Sequence, residues 1–479
     1  MTRRSVFPAL LAAGAMILAA CTAGPDFQRP LAPGTQAYAA DLPAQFGGSA
    51  EVPAQQLLPG AAAAEWWQLF RSPALDQLVR QALDGNRTLA AAAAAVDEAS
   101  ELLAARQGTL LPQVTASAAT GRQKYGAQFL GSLPKPPPFT YFAVGAKVSY
   151  ALDYTGGVKR GIEQQRALAE YQQHQLEAAR LAVSGNAVLL ALQAAALREE
   201  IATVEALLER DRETLKLVQE ALAAGSASQL DVLTARSQLA TDATQLPPLR
   251  QQLDVATHGL AVLTGTTPVA ARLPQPSLDE LTLPSRLPLA VPAELAHRRP
   301  DILAAEAQLH AATAAVGVAT SNLYPHITLT AATGQEAISA GELFAPGSSV
   351  WSFAAGIVGP LFDGGTLRAT QRAAVAALQA NAANYQQTVL EAFGQVADAL
   401  QGLQHGVETL QAQTEAEAAA GQTADLTRRA YQEGEATLLQ VLDAERRYQQ
   451  ARLGLVRARA QRYLDSAQLL LAIGPGAAR

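Results

Sequence analysis

An internal repeat of about 210 residues limits what this 479-residue chain can fold into more than any other feature. Three segments of the first half recur in the same order in the second half: 111–121 at 324–334, 152–157 at the shorter 362–365, and 225–233 at 434–442. The first pair is identical at six of eleven positions, including its proline and its final glycine. Alanine-rich low complexity does not explain matches at proline, glycine and aspartate. The chain therefore reads as two tandem copies of one unit.

Each copy is predicted to contain a helix, a β-hairpin, a long helix and a return helix, in that order. Residues 89–110 and 301–323 should form the first helices, 158–222 and 366–432 the long helices, and 230–263 and 438–471 the return helices. A long helix would span roughly 100 Å at 1.5 Å per residue. Gly225 and Gly434 are predicted to reverse the chain at the tips, and Pro247-Pro248 should bend or split the first return helix.

The long helices carry a coiled-coil pattern with apolar residues at alternating steps of three and four. In the first, the pattern runs from Leu190 through Leu208, Asp211 and Leu215 to Leu222. Such heptads place a narrow apolar seam against neighbouring helices. Hydrophobic residues make up 49% of the chain but aromatic residues only 5%, so much of the apolar content is alanine, which suits close helix packing. An isolated coiled coil is the simpler reading, but it leaves the hairpins unexplained.

Apolar side chains alternate with small or polar ones in 143–152, 326–333 and 351–361, and less clearly in 113–121. Strands of about ten residues suit a tilted crossing of a bilayer, although two hairpins on a soluble sheet would show the same pattern. A bilayer tolerates no unpaired strand edge, and four strands are too few to close a barrel. If these strands lie in a membrane, several protomers must share one barrel, and three would supply twelve strands.

The N-terminus has the pattern of a bacterial lipoprotein signal. Arg3 and Arg4 precede an apolar stretch that ends Leu18-Ala19-Ala20-Cys21, which resembles a lipobox. Cys21 is the only cysteine, so it is the predicted lipidation site and no intrachain disulfide can form. An ordinary secretory signal with a chance cysteine is the alternative. The residue after Cys21 is threonine. An aspartate at this position would suggest retention at the inner membrane, so Thr22 permits localisation to the outer membrane.

These patterns divide the chain into six predicted segments. They are a signal peptide at 1–20, a lipid-anchored extended segment at 21–60, a first repeat at 61–267, a proline-rich segment at 268–297, a second repeat at 298–473 and a tail at 474–479.

The arrangement resembles the outer membrane factor family, the TolC-like channels, and most closely its lipoprotein branch. Four motifs carry the resemblance: 66–75 (WWQLFRSPAL), 299–325 with Arg299-Pro300-Asp301 and Tyr324-Pro325, 359–365 (GPLFDGG), and 441–444 (VLDA). The resemblance implies a mainly helical homotrimer with a twelve-stranded transmembrane β-barrel and an α-helical barrel in the periplasm. It also implies docking to a periplasmic adaptor and an inner-membrane pump, as the exit duct of a tripartite efflux or export system.

The resemblance also implies a gate at the periplasmic helix tips. The family's tip tyrosine matches Tyr431, and the second of its two gate aspartates matches Asp443. The first falls at Gln440, and Asp231 holds the equivalent place in the first copy. The family's tip arginine is replaced by Ala436, which argues against a salt-bridged lock. A ring of Asp443 carboxylates in a trimer could bind cations or constrict the pore.

No motif predicts catalysis. The six histidines include no helix-spaced metal pair, and the chain has no nucleophile elbow, phosphate loop or CxxC. No cofactor and no enzymatic activity are expected, and a net charge of −6 gives no electrostatic case for nucleic-acid binding. The rival hypotheses are a periplasmic lipoprotein adaptor and a structural coiled-coil protein of the envelope.

Overall fold

The computed structural model describes residues 22–31, 34, 37–38, 43–48, 52–60, 62–125 and 137–474. The predicted signal peptide and Cys21 lie outside these residues. The chain forms two compact units, each assembled from separate stretches. Unit 1 comprises Ala95–Gln172, Ala304–Tyr385 and the described residues before Leu31. Unit 2 comprises Gln173–Leu303, Gln386 onward, and the described residues from Leu31 to Ala94.

The described part of the first half contains these elements: β1 Gln45–Phe46, β2 Gln55–Pro59, α1 Pro73–Gly85, α2 Arg87–Gly108, β3 Gln113–Gln123, β4 Phe139–Leu152, α3 Gly157–Ala223, α4 Gln229–Ala243 and α5 Leu246–Leu263. The second half contains β5 Arg286–Leu289, α6 Pro292–Ala296, α7 Pro300–Ser321, β6 His326–Ala337, β7 Ser349–Val358, α8 Thr366–Gln432 and α9 Leu438–Ile473. The chain is therefore mostly helical with few strands, as predicted.

The two long helices, α3 and α8, have 67 residues each and begin in the same way. Asp153 accepts hydrogen bonds from the Val158 and Lys159 amides at 3.0 and 2.9 Å. Asp363 accepts them from the Gly365 and Leu367 amides at 2.9 and 2.8 Å. A helix leaves its first amides without partners, and an aspartate before the first turn satisfies them. This explains why the aspartate recurs in both copies.

The return helix of the first copy is split, as Pro247 and Pro248 predict. α4 ends at Ala243 and α5 begins at Leu246, which places Pro247 in the first turn of α5. Proline is tolerated there because its missing amide would have no partner in the helix. The second copy has no proline at this place, and α9 runs unbroken for 36 residues.

In unit 1, four antiparallel strands form one sheet in the order β3-β4-β6-β7. Gly145 of β4 faces Gly334 of β6. A β-carbon at Gly334 would lie 2.5 Å from the Val144 carbonyl oxygen, so the two strands require glycine at this crossing. β7 ends at Val358, short of the predicted 361, because Gly359-Pro360 follows and proline cannot donate to a strand ladder.

The outer edges of this sheet lie on β3 and β7, and neither edge is paired with a further strand among the described residues. Every residue of β7 is exposed, and its large apolar side chains are nearly bare, with Trp351 81% and Phe353 70% exposed. An exposed apolar edge strand is a template for pairing with another chain. Within the described residues, β3 and β7 thus each present one open strand edge.

A second sheet lies in unit 2 and was not predicted. β1 pairs with β2, and β2 pairs in parallel with β5 of the proline-rich segment. The Gln55 side chain on β2 is fully buried and donates to the Pro284 carbonyl and to the Ser466 hydroxyl, both at 2.9 Å. The segment near 60 and the segment between the repeats are therefore both tied to α9.

Apolar side chains from the long and return helices form the core of unit 2. One cluster contains Leu197, Val204, Leu208, Leu249 and Leu453, and a second, nearer the helix tips, contains Val218, Val232, Leu438 and Leu442. The α3 members of both clusters, Leu197, Val204, Leu208 and Val218, lie on the predicted heptad seam, whereas the members from the return helices were not predicted. Within the described residues, α3 and α7 are long and apolar enough to cross a membrane, but more than half of each apolar window is buried, as in core helices of soluble proteins.

Candidate functional site at the helix tips

The two tips of unit 2 share one backbone design, built on a left-handed glycine. Gly225 has φ +78° and Gly434 has φ +82°. At the first tip the Ser226 amide donates to the Ala221 carbonyl at 2.9 Å, and at the second the Glu435 amide donates to the Ala430 carbonyl at 2.7 Å. These are the bonds of a Schellman motif, which ends a helix with a residue at positive φ. The predicted tip turns therefore lie at Gly225 and Gly434 in the structure.

Each return helix then begins with a capping box. In the first copy the Ser228 amide donates to the Asp231 carboxylate at 2.8 Å, and the Asp231 amide donates to the Ser228 hydroxyl at 3.2 Å. In the second copy Thr437 and Gln440 make the same pair of bonds at 2.7 and 3.4 Å. The bonds from the Ser228 amide and hydroxyl hold the pKa of Asp231 below its usual value. The structure thus places Asp231 and Gln440 in equivalent local roles, each closing its own turn.

The Asp443 carboxylate is paired within its own helix. It lies 2.6 Å from the Arg446 guanidinium and 2.9 Å from that of Arg447. The Asp443 side chain is 36% exposed, and it lines an open groove of about 420 Å³ with Ala436 and Gln440. Position 436 carries alanine, and it is two arginines farther along the same helix that pair with the carboxylate.

Tyr431 packs rather than pairs. Its ring is half-buried against the tip cluster of Val218, Val232, Leu438 and Leu442. It therefore joins residues of both long helices and both return helices at the tip. Tyr431 and Asp443 lie in the same hairpin, while Asp231 belongs to the other.

Heptad patterning did not single out a buried carboxylate behind the tip. Glu445 on α9 is only 6% exposed, and it forms ion pairs with Arg428 of α8 and, at 3.6 Å, with Arg210 of α3. Arg210 also lies over the Tyr448 ring, 5.6 Å from its centre. The sequence signal that could have revealed Glu445 is an acidic residue on the face of α9 that carries buried side chains. These contacts tie the two long helices together through one return helix.

A second buried acid lies on the apolar seam itself. Asp211 of α3 and Asp242 of α4 are each 7% exposed. Asp242 accepts hydrogen bonds from Gln238 at 2.7 Å and Gln245 at 3.0 Å, whereas Oδ2 of Asp211 has no hydrogen-bond partner in the described part of the chain. Burial, followed by the charge of Asp242 and the hydrogen bond to it, raises the pKa of Asp211 to about 7. The heptad contained Asp211, but the sequence did not show what faced it.

The Arg299-Pro300-Asp301 motif organises the other end of α9. Arg299 donates to both oxygens of Asp301 at 3.0 and 2.7 Å, to the Ala472 carbonyl at 2.7 Å and to Gln395 at 2.8 Å. A planar guanidinium can make all of these bonds at once. These residues line a cavity of about 470 Å³ in unit 2. In the part of the chain that the structure describes, no group of three or more His, Cys, Asp or Glu residues is placed to hold a metal ion.

Comparison with known proteins finds a matching family, related sequences and similar solved structures. The sequence profile described as "Outer membrane efflux protein" matches residues 78–266 and 291–475. A pyoverdine export outer membrane protein of Pseudomonas putida, OpmQ, is 32% identical over 86% of this chain and 88% of its own length. The toluene efflux pump outer membrane protein TtgC of Pseudomonas putida is 32% identical over 97% of this chain and 95% of its own. The solved outer-membrane channel OprN superposes with a TM-score of 0.86 at 29% identity, covering 95% of this chain and 99% of OprN.

Proposed function

The chain belongs to the outer membrane efflux protein family, and on that premise we propose how its parts form and operate the channel. The protein is the outer membrane channel of a tripartite efflux or export system. It conducts small molecules onward from an inner-membrane pump and a periplasmic adaptor. Members of the family are channel proteins, not enzymes. This assignment favours the exit duct over the adaptor and the structural coiled coil.

The functional form is a homotrimer whose barrel has twelve strands, four from each protomer. The exposed edges of β3 and β7 carry this proposal, because every backbone amide and carbonyl within a bilayer must be paired. Pairing β7 of one protomer with β3 of the next would satisfy both edges. The apolar face of β7, with Trp351 and Phe353, would then face lipid.

The mature chain is proposed to begin at a lipidated Cys21 in the outer membrane. The lipobox pattern supports this, and several acyl chains give firm anchoring at about 0.8 kcal/mol per buried CH₂. Mass spectrometry of the N-terminal peptide tests it. An unmodified Cys21 in the mature protein would reject the anchor and leave the channel assignment intact.

The gate is proposed to lie at the second-copy tip, where Asp443 is the pore-facing acid and Tyr431 holds the two hairpins together. The open groove at Asp443 and the shared cluster at Tyr431 support these roles. The capping bonds of Asp231 favour a supporting role, in which it shapes the first tip. Because Arg446 and Arg447 neutralise Asp443, the closed state rests on packing more than on charge.

Trimer migration on gels tests the assembly. Outer membrane fractions of cells making this protein should contain a species of about three times the monomer mass that collapses to monomer on boiling. A monomer in unheated samples, or recovery solely in the inner membrane, would contradict the proposal. Trp351→Asp on the lipid face of β7 should reduce the trimer band, whereas Leu31→Asp, on a side chain that is 94% exposed outside the sheet, should not.

A further inference from the structure

The first described residues of the chain lie on a surface of unit 1 that fits them closely. The Ala23 amide donates to the Thr155 carbonyl at 2.9 Å, just after the end of β4. Gly24 has φ +84°, and a β-carbon there would lie 2.5 Å from Cα of Gly317 on α7. The two backbones thus cross where neither residue can carry a side chain. A segment held this closely is part of the fold and not a free tether.

Arg160 of α3 is the centre of this contact. Its side chain is only 5% exposed, although it carries a full charge. Its Nε donates to the Ala23 carbonyl at 3.2 Å, and its terminal nitrogens pair with Asp26 and, at 2.7 Å, with Glu163. A buried charge costs free energy unless it is paired and hydrogen-bonded. Two of its three partners are therefore supplied by the N-terminal segment.

His310 of α7 extends the contact to the next residue of the segment. Its Nε2 lies 3.0 Å from Oε1 of Glu163, and its ring stacks on Phe27 with centres 4.3 Å apart and planes 15° apart. Burial alone would raise the pKa of Glu163, but the hydrogen bonds from Arg160 and His310 outweigh it and lower that pKa. Glu163 thus stays ionised at neutral pH and orients both of its neighbours.

One further ion pair closes the far end of the segment. Arg29 lies 2.8 Å from Glu306 of α7, with half of the arginine side chain exposed. Exposed pairs of this kind contribute little on their own. The buried Arg160 contact and the Phe27 stack therefore hold the segment, and the Arg29–Glu306 pair adds a weaker contact at its far end.

We propose that Arg160, Glu163 and His310 form a docking site for residues 22–29 that positions the acyl-bearing Cys21 beside the end of β4. This rests on the lipidation proposed above. Only Thr22 separates Cys21 from Ala23, and two residues of chain span at most roughly 7 Å, so the bond from Ala23 to Thr155 limits how far a lipid on Cys21 could reach from that point. The docking site thus sets the level of the acyl chains relative to the membrane strands, and a loose tether would not.

Hydrogen exchange of the full-length protein tests the docking site. Asp26→Ala combined with Phe27→Ala changes only the segment, so the body of the protein should fold normally. We expect the Ala23 amide, which donates to the Thr155 carbonyl, to exchange about tenfold faster or more, because charged hydrogen bonds and a ring stack are lost together. Arg160→Gln should have the same effect from the other side. Arg80→Gln, which breaks exposed pairs in unit 2, is the matched control and should leave exchange of the Ala23 amide unchanged.

Two results would overturn the proposal. One is unchanged exchange of the Ala23 amide in the Asp26→Ala, Phe27→Ala variant. The other is loss of that amide's protection in Cys21→Ser, since the lipid and not the docking site would then hold the segment. Absence of acyl chains at Cys21 would by contrast reject the anchor alone, because the exchange pattern does not depend on lipid.

Discussion

The Asp443 carboxylate lies 2.6 Å from the Arg446 guanidinium on the same helix, and Arg447 lies nearly as close on its other side. Pairs at spacings of three and four residues face each other on a helix surface. A candidate gate acid is thus partly neutralised before any second protomer approaches. This changes what a substitution at Asp443 should do.

Asp443→Ala should reduce block of the channel by external cations, because a ring of three carboxylates would be lost. The reduction should be modest in the native background and larger in an Arg446→Gln, Arg447→Gln background, where the carboxylates are no longer neutralised. Single-channel recording with added divalent cations measures it. Asp254→Ala, an exposed acid on α5, is the control, and equal cation block in Asp443→Ala and wild type would remove Asp443 from the gate.

Asp211→Asn should stabilise the protein at alkaline pH. The pKa of Asp211 is about 7 in the folded protein and 3.8 for an ordinary aspartate, so the folded chain binds more protons between these values. Stability should therefore fall as pH rises from about 4 to about 7, and this loss should be absent in the variant. Thermal melts at pH 4 and pH 8 measure it.

Asp231→Asn provides the contrasting behaviour. The pKa of Asp231 is lowered by its capping bonds, so its stabilisation is present at neutral pH and disappears as pH falls through that pKa.

An Asp211→Asn variant that melts like wild type at pH 8 would show that Asp211 is not a buried, strained acid.

Gly434→Ala and Gly394→Ala should have opposite effects on stability. A β-carbon meets nothing within 4 Å at either position, so backbone conformation alone decides. Gly434 has φ +82°, and alanine there should cost about 1 kcal/mol. Gly394 lies inside α8, where alanine should gain about 0.5–1 kcal/mol. Denaturation of both variants under one condition checks the pair, and stabilisation by Gly434→Ala would contradict the turn geometry.

Arg299→Ala should destabilise the protein by about 2–3 kcal/mol, because Asp301 and the Ala472 carbonyl lose their donor. Arg299→Lys keeps the charge but loses the planar fork, so its cost should fall between wild type and alanine. Thermal denaturation ranks the three proteins. Equal stability of Arg299→Lys and wild type would show that only the charge matters at this motif.

Most of the fold could be predicted from the internal repeat and from the spacing of apolar residues. The Asp153 and Asp363 pattern marked the start of each long helix, and the glycines at 225 and 434 marked the tips, because capping and positive φ demand particular residues locally. The sheet of β1, β2 and β5 escaped prediction, since β2 and β5 are far apart in sequence and are only five and four residues long, too short to show a clear strand pattern. The partners of Asp211, Glu445 and Arg160 escaped for the same reason: a charge on an apolar face signals burial, but only the folded chain shows what lies opposite.

Conductance of the purified protein in a planar bilayer tests the central claim most directly. The account predicts discrete channel openings from trimers alone, small in wild type and larger when the tip contacts are removed by Tyr431→Ala together with Glu445→Ala. A preparation of folded trimers that produces no openings in either form would contradict it.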